Sequence, residues 1–248
     1  VAAVTTPRER FASVVRDQPV DLGLACALLA VEADPHVDPD AAVARLDSLA
    51  RGVPEEGSAA GRLRAVLGDF GGGPHDYDDL AASLLPDVLV RRRGLPILLS
   101  VVWLEVAKRA QIPAYGIGLP GHFVVGLGDP DSHPMVVDPF HGGRRLASSS
   151  VRPWEPIEIL QRVLANIRAW AQPPDRWATR RWALELGLVL PRHPLELRRE
   201  LGELQVGMGG YLEGALELES YADVVDAMDP ELAESVRAKA RSARARLN

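Results

Sequence analysis

His122 and Asp138 are the two residues of this chain whose types and setting suit acid–base chemistry. His122 opens the run His-Phe-Val-Val-Gly-Leu, Asp138 closes the run Met-Val-Val-Asp, and the turn-forming stretch Gly128-Asp-Pro-Asp131 lies between them. A hairpin would set the two side chains next to one another. A carboxylate beside an imidazole fixes its tautomer, which leaves the second ring nitrogen to take a proton from a nucleophile. Such a pair is best matched by a thiol at a helix start, where the dipole and free N–H groups stabilise the thiolate. The apolar helix ahead of the pair starts at Gly94-Leu95-Pro96, and proline has nothing to attack with. The competing reading is structural: a partly buried histidine held by a carboxylate.

Two residues could stand in for the thiol. Ser100 lies one turn into the same helix. Activation needs a base within ~3 Å, and a serine there is expected instead to hydrogen-bond the carbonyl of residue 96. Cys26, the one cysteine of the chain, sits among Leu24, Ala27 and Leu28, the setting of a small buried hydrophobe. A metal is the other chemical route. His122, Asp138 and His141, with His133 nearby, would supply nitrogen and oxygen ligands and an open position if they converged. No tight motif such as H-E-x-x-H supports that; His133 and His141 read more simply as loop residues, and neither a metal nor a cofactor is expected.

Three further features carry charge or aromatic surface. Arg91-Arg92-Arg93 directly precedes the central helix and with its N-terminus has the make-up of an anion site. The plainer expectation is one buried, ion-paired arginine and two solvated ones. The loop from Gly71 to Asp79 offers Asp76, Asp78 and Asp79 to a cation, but their spacing does not fit a calcium loop. A solvated turn that caps the next helix is expected. Trp154, Trp170, Trp177 and Trp182 are expected to pack a core against a tail rather than to form a stacking platform.

The elements that position these residues follow from pattern and punctuation. Residues 7–67 read as helical, with Asp38 capping a helix that has Pro39 in its first position and buries Val43, Leu46, Leu49 and Ala50. A third helix is expected over 58–69 and a short one over 80–92. Ile97 to Ala110 is apolar nearly all round its axis, so it is buried on most sides. Short strands are expected at 114–118, 122–127 and 135–138, joined by Pro/Gly turns into an antiparallel sheet. From Pro153 the chain is helical again, and Gly210-Tyr211 followed by an Ala-containing amphipathic helix has the look of a tetratricopeptide repeat.

Composition narrows the function classes. The net charge of −6 and sequence pI near 5.6 argue against nucleic acid as a general partner. No run approaches the ~18 uninterrupted apolar residues of a membrane span, the first residues lack the apolar core of a secretory signal, and a single cysteine suits a reducing compartment. A cytoplasmic protein is the expectation, with no membrane partner and an oligomeric state that the sequence leaves open.

Three stretches together carry a resemblance: Leu84 to Ser100 (L-L-P-D-V-L-V-R-R-R-G-L-P-I-L-L-S), Leu119 to Phe123 (L-P-G-H-F) and Val137 to Gly143 (V-D-P-F-H-G-G). They resemble the SirB-type, transglutaminase-like family of bacterial proteins. The resemblance implies an α+β, papain/transglutaminase-like core with a helical N-terminal part and an antiparallel sheet over 1–152. A helical, tetratricopeptide-like tail packed on that core would follow over 153–248. By position, His122 and Asp138 match the histidine and aspartate of such cores, and the cysteine position falls at or next to Pro96, where the family pattern itself has proline. D-Y-D-D-L-A-A-S at 76–83 departs from the family's usual Pro and Asn. The resemblance implies no defined biochemical role; Pro96 where the chemistry needs sulfur, together with the repeat-like tail, points to a pseudoenzyme that binds a protein or peptide in a cleft formed by Arg93, Gly94, Pro96, Gly121, His122, Phe123, Asp138 and Phe140. The alternative is a hydrolase or acyltransferase using His122–Asp138 with Ser100 or an activated water.

Overall fold

Four helices open the chain, each started by a polar side chain that accepts a backbone N–H left free by the first turn. Thr6 starts α1 (Pro7–Val14), Asp21 starts α2 (Leu22–Ala33), Asp38 starts α3 (Pro39–Arg51) and Ser58 starts α4 (Ala59–Leu67). These are elements of a computed structural model that describes residues 6–132, 134–147 and 152–247. Two 3-10 turns follow, Pro74–Asp78 and Leu80–Ser83, and then α5 (Leu85–Arg91). The single helix expected over 80–92 is therefore broken at Leu84, which is extended. Pro86 explains the break: its ring would clash with a helical carbonyl four residues back.

Helix α6 (Pro96–Arg109) holds the centre of the first unit. Every residue from Pro96 to Trp103 is buried, as are Glu105, Val106 and Ala107. Such a helix has no face to give to water, so other elements cover it: α2, α3, α4 and α5, and strands β1 (Ala114–Leu119) and β2 (His122–Leu127). Its one buried acid, Glu105, is matched by Arg109 a turn later, which also donates to Asp47 of α3 at 2.6 Å.

The sheet is antiparallel in the order β1-β2-β3-β4, with β3 at Met135–Asp138 and β4 at Arg144–Leu146. Leu119 pairs with His122 across a two-residue turn, and Gly121 takes the positive φ of 67° that this turn needs. The three expected strands are present; β4, short and with two exposed arginines, gave no alternating pattern to read. Helix α7 (Pro156–Trp170) follows, and the Trp154 N–H just before it donates to the Gly116 carbonyl of β1 at 2.9 Å. That bond ties the start of α7 to the sheet. The two compact units divide at 166/167, within α7, where the resemblance implied a junction at 152/153.

The second unit is helical: α8 (Trp177–Val189), α9 (Glu196–Gly207), α10 (Tyr211–Val225) and α11 (Pro230–Arg244). Each packs on the next. Ala215, Leu218, Tyr221, Ala222 and Val225 of α10 meet Ala233, Val236 and Ala240 of α11 in one apolar cluster. Among the described residues, no helix is long and apolar enough to cross a membrane.

The loop at Gly71–Gly73 fastens the site together. Gly71 N–H donates to the Arg92 carbonyl at 3.1 Å, Gly94 N–H donates back to Gly71 at 3.3 Å, and Gly72 N–H donates to the Phe140 carbonyl at 3.0 Å. One loop thus holds the entry to α6 against the turn that leaves β3. The approach leaves no room for a side chain: a Cβ at Gly72 would lie 2.0 Å from the Phe140 ring and 2.6 Å from the Gly94 carbonyl oxygen. Gly72→Ala is expected to lower stability by about 1–3 kcal/mol, the range for forcing atoms into a packed site, read from the midpoint of a urea unfolding curve.

Candidate functional site

Asp138 ends β3 with a side chain only 3% exposed. A buried carboxylate is costly unless its oxygens are matched, and here both are. Oδ2 accepts from His141 Nδ1 at 2.7 Å, and Oδ1 accepts from the Phe140 N–H at 3.1 Å. His122 Nε2 stands 3.0 Å from Oδ1. The hairpin expected from sequence does bring His122 and Asp138 together. What it did not disclose is that Asp138 serves two histidines. With Nε2 of His122 turned to the carboxylate, Nδ1 is its remaining basic nitrogen in the neutral ring.

Beside His122 is a cavity of about 40 Å³ lined by Tyr77, Pro96, Ile97, Gly121, His122, Phe123, Arg162 and Asn166. Four of the eight residues proposed from sequence for the cleft, Pro96, Gly121, His122 and Phe123, are in this lining. Asp138 lies behind His122. Phe140 forms a neighbouring wall, edge-on to Tyr77, His122 and His141 with ring centroids 6.3, 6.0 and 5.2 Å away. Gly94 and Arg93 support the site without lining the cavity. A Cβ at Gly94 would fall 2.7 Å from Val88, and Arg93 donates to the buried Asp76 at 2.9 Å.

Tyr77, Ile97, Arg162 and Asn166 were missed. Ile97 follows directly from Pro96. Arg162 and Asn166 are one turn apart on α7, whose buried stripe is Ile159, Leu160, Val163, Leu164 and Ile167. The signal was a polar pair flanking that stripe, which in sequence is the same as an ordinary solvated helix face.

Neither substitute nucleophile reaches the cavity. Ser100 is fully buried and donates to the Phe123 carbonyl at 3.3 Å, not to the carbonyl of residue 96, because α6 lies directly on β2 and offers an acceptor there. Cys26 is buried in α2. Burial, with Glu105 and Asp21 nearby, pushes its thiol well up from the ordinary range. A thiol so placed stays protonated and unreactive.

The charged stretches are knitted to the fold. Arg91 pairs with Asp79 at 2.6 Å, Arg92 with Asp69, and Arg93 with Asp76. The expectation of one buried and two solvated arginines is corrected: all three are paired and none is buried, and the buried member is Asp76. Asp76 also accepts from the Gly73 N–H at 2.6 Å, so the loop is not simply solvated. The capping half of that expectation holds, since Asp79 accepts from Ala81 N–H at 3.0 Å. Trp154 lies edge-on to Phe123, with ring centroids 5.4 Å apart, and is committed to the sheet of the first unit.

A metal is sterically conceivable: one ligand atom each from His122, Asp138 and His141 lie within 4.8 Å of one another. Two imidazoles and a carboxylate suit zinc or ferrous iron. His133 falls outside the described residues.

The model of the transglutaminase-like superfamily matches residues 34–167. This chain belongs to that superfamily. The match runs from the end of α2 through the sheet to α7, and so takes in His122, Asp138, Arg162 and Asn166. A UPF0162 protein of Xylella fastidiosa is 35% identical over 162 residues, covering 56% of this chain and 57% of that protein. UPF0162 protein PA3419 of Pseudomonas aeruginosa is 29% identical over 189 residues, 65% of this chain and 69% of its own length. The chain thus spans little more than half of the Xylella relative.

The chemistry of Cys26 can be checked directly. In native buffer the thiol is expected to leave an aromatic disulfide reagent uncleaved over minutes, and to react fully once guanidinium unfolds the protein. Fast reaction in native buffer would show that the thiol is accessible.

Proposed function

We propose that this chain is a SirB-type, transglutaminase-like protein without thiol chemistry, serving as a binding module for a protein or peptide. The observation that carries the reading is the lining of the cavity at His122. The start of α6 contributes Pro96 and Ile97 there, and neither has a nucleophilic atom. The buried states of Cys26 and Ser100 support it further. On this reading the histidine and aspartate persist because they organise the cleft, and the helical second unit, with tetratricopeptide-like helix pairs, offers a further protein-binding surface. The reading includes a cytoplasmic location.

The test is turnover. Purified protein, incubated with glutamine-amide and peptide substrates, is expected to release no ammonia and cleave no peptide above a buffer blank, and His122→Ala is expected to change nothing. Turnover that disappears in His122→Ala would overturn the reading, because a triad stripped of its nucleophile keeps only modest residual catalysis.

A second reading is favoured by one observation, the convergence of His122, Asp138 and His141. A water activated at that cluster, with or without a metal, would make the protein a hydrolase. Elemental analysis after mild purification separates the metal form. The binding-module reading expects less than about 0.2 equivalents of zinc or iron. Near-stoichiometric metal lost in His141→Ala would favour the hydrolase.

A further inference from the structure

Resting on the reading of this cleft as a binding site, we infer that the cavity beside His122 is a carboxylate subsite for the ligand. Arg162 is its anchoring cation and Asn166 its orienting amide. The reason lies in what Arg162 lacks. Among the described residues, every other partly buried arginine has an ion pair, a hydrogen bond or an aromatic ring against its guanidinium. Arg10 has Asp40, Arg109 has Asp47 and Glu105, Arg180 has Glu200, Arg62 has the Pro54 carbonyl and Arg199 has the Tyr221 ring. Arg162 is partly buried in the cavity wall and has none of these. Its guanidinium faces the cavity with no protein counter-charge, whereas this fold gives its other partly buried arginines a partner.

The rest of the lining narrows the ligand. None of the eight lining residues is acidic, so the protein supplies no anion of its own to the cavity. The one carboxylate behind it, Asp138, is taken up by His122, His141 and the Phe140 N–H. The guanidinium is a planar fork matched to a carboxylate. Asn166, four residues on, shares its helix face. Its amide both donates and accepts, so it can pair with the carboxylate or with the peptide group next to it. Pro96, Ile97 and Phe123 give apolar walls, and Tyr77, Gly121 and His122 complete the lining. A volume of about 40 Å³ admits a group of a few water-sized atoms, enough for a carboxylate.

The experiment titrates the full chain with N-acetylglycine, its neutral analogue N-acetylglycinamide, and inorganic phosphate, by calorimetry and by amide NMR shifts. N-acetylglycine is expected to bind, with the neutral amide and phosphate weaker by about tenfold or more, as suits a charge-assisted bidentate contact. Arg162→Gln is expected to remove the preference for the acid, Arg162→Lys to keep part of it, and Arg45→Gln, on the exposed face of α3, to keep all of it. If Arg162→Gln fails to fold, Arg162→Lys and Asn166→Leu carry the comparison. Equal binding of acid and amide, tighter binding of phosphate, or an unchanged preference in the Arg162 variants would overturn the inference. The two readings fail separately. Turnover with Arg162-dependent acid binding would sink the non-catalytic reading and leave the subsite. No turnover and no acid preference would sink the subsite alone.

Discussion

A helix with no polar face must be enclosed, and the first unit is arranged around that requirement. α6 buries every residue from Pro96 to Trp103, so its flanks can only be met by other apolar surfaces. α2, α3, α4 and α5 cover part of it and β1 and β2 cover the rest. The consequence for the site is geometric. Because β2 lies directly on α6, the first residue of β2, His122, is held beside the first residues of α6. Because β3 pairs with β2, the last residue of β3, Asp138, is carried behind His122. The enclosure of one helix therefore sets the positions of the groups that could do chemistry, and the Gly71–Gly73 loop locks the end of that arrangement.

The same enclosure explains why proline fits where a thiol would act. The first turn of a helix has N–H groups without intrahelical partners, so a residue without an N–H loses nothing there, and a fixed φ suits the turn. Proline at position 96 is thus neutral for the fold, and on the proposed reading it leaves that position without a nucleophile. Asp138 is different. Its carboxylate holds Phe140 N–H and His141 as well as facing His122, so removing it would leave those groups without their acceptor whether or not any reaction takes place. A histidine–aspartate pair can outlast its nucleophile for structural reasons alone.

What was legible in the sequence follows from how local each signal is. The cap at Asp38, the proline-started α6, and the strands at 122–127 and 135–138 are written in neighbouring residues, and they are where the pattern put them. The split at Leu84 turned on one proline inside an apolar run. β4 had three residues and no alternation. Arg162 and Asn166 were invisible for a stronger reason: their meaning depends on α7 being tied to the edge of β1 through Trp154, a contact between segments far apart in sequence. The pairing of Arg91, Arg92 and Arg93 with three separate aspartates was hidden in the same way. Charge runs announce themselves, but their partners do not.

An enzyme gains rate only from interactions that are stronger in the transition state than in the ground state, which limits how tightly it can usefully hold its substrate. On the proposed reading, a cleft with Pro96 opposite its histidine is free of that limit. Every contact it makes with a resting ligand counts toward affinity, with no later state to be favoured instead. On the proposed reading, the parts of a transglutaminase-like site that positioned a substrate are the parts worth keeping, and those that carried the reaction are open to replacement by packing. On that reading the division is visible here: an entry to α6 formed by Pro96 and Ile97, a histidine beside a buried carboxylate, and a partly buried arginine without a protein partner.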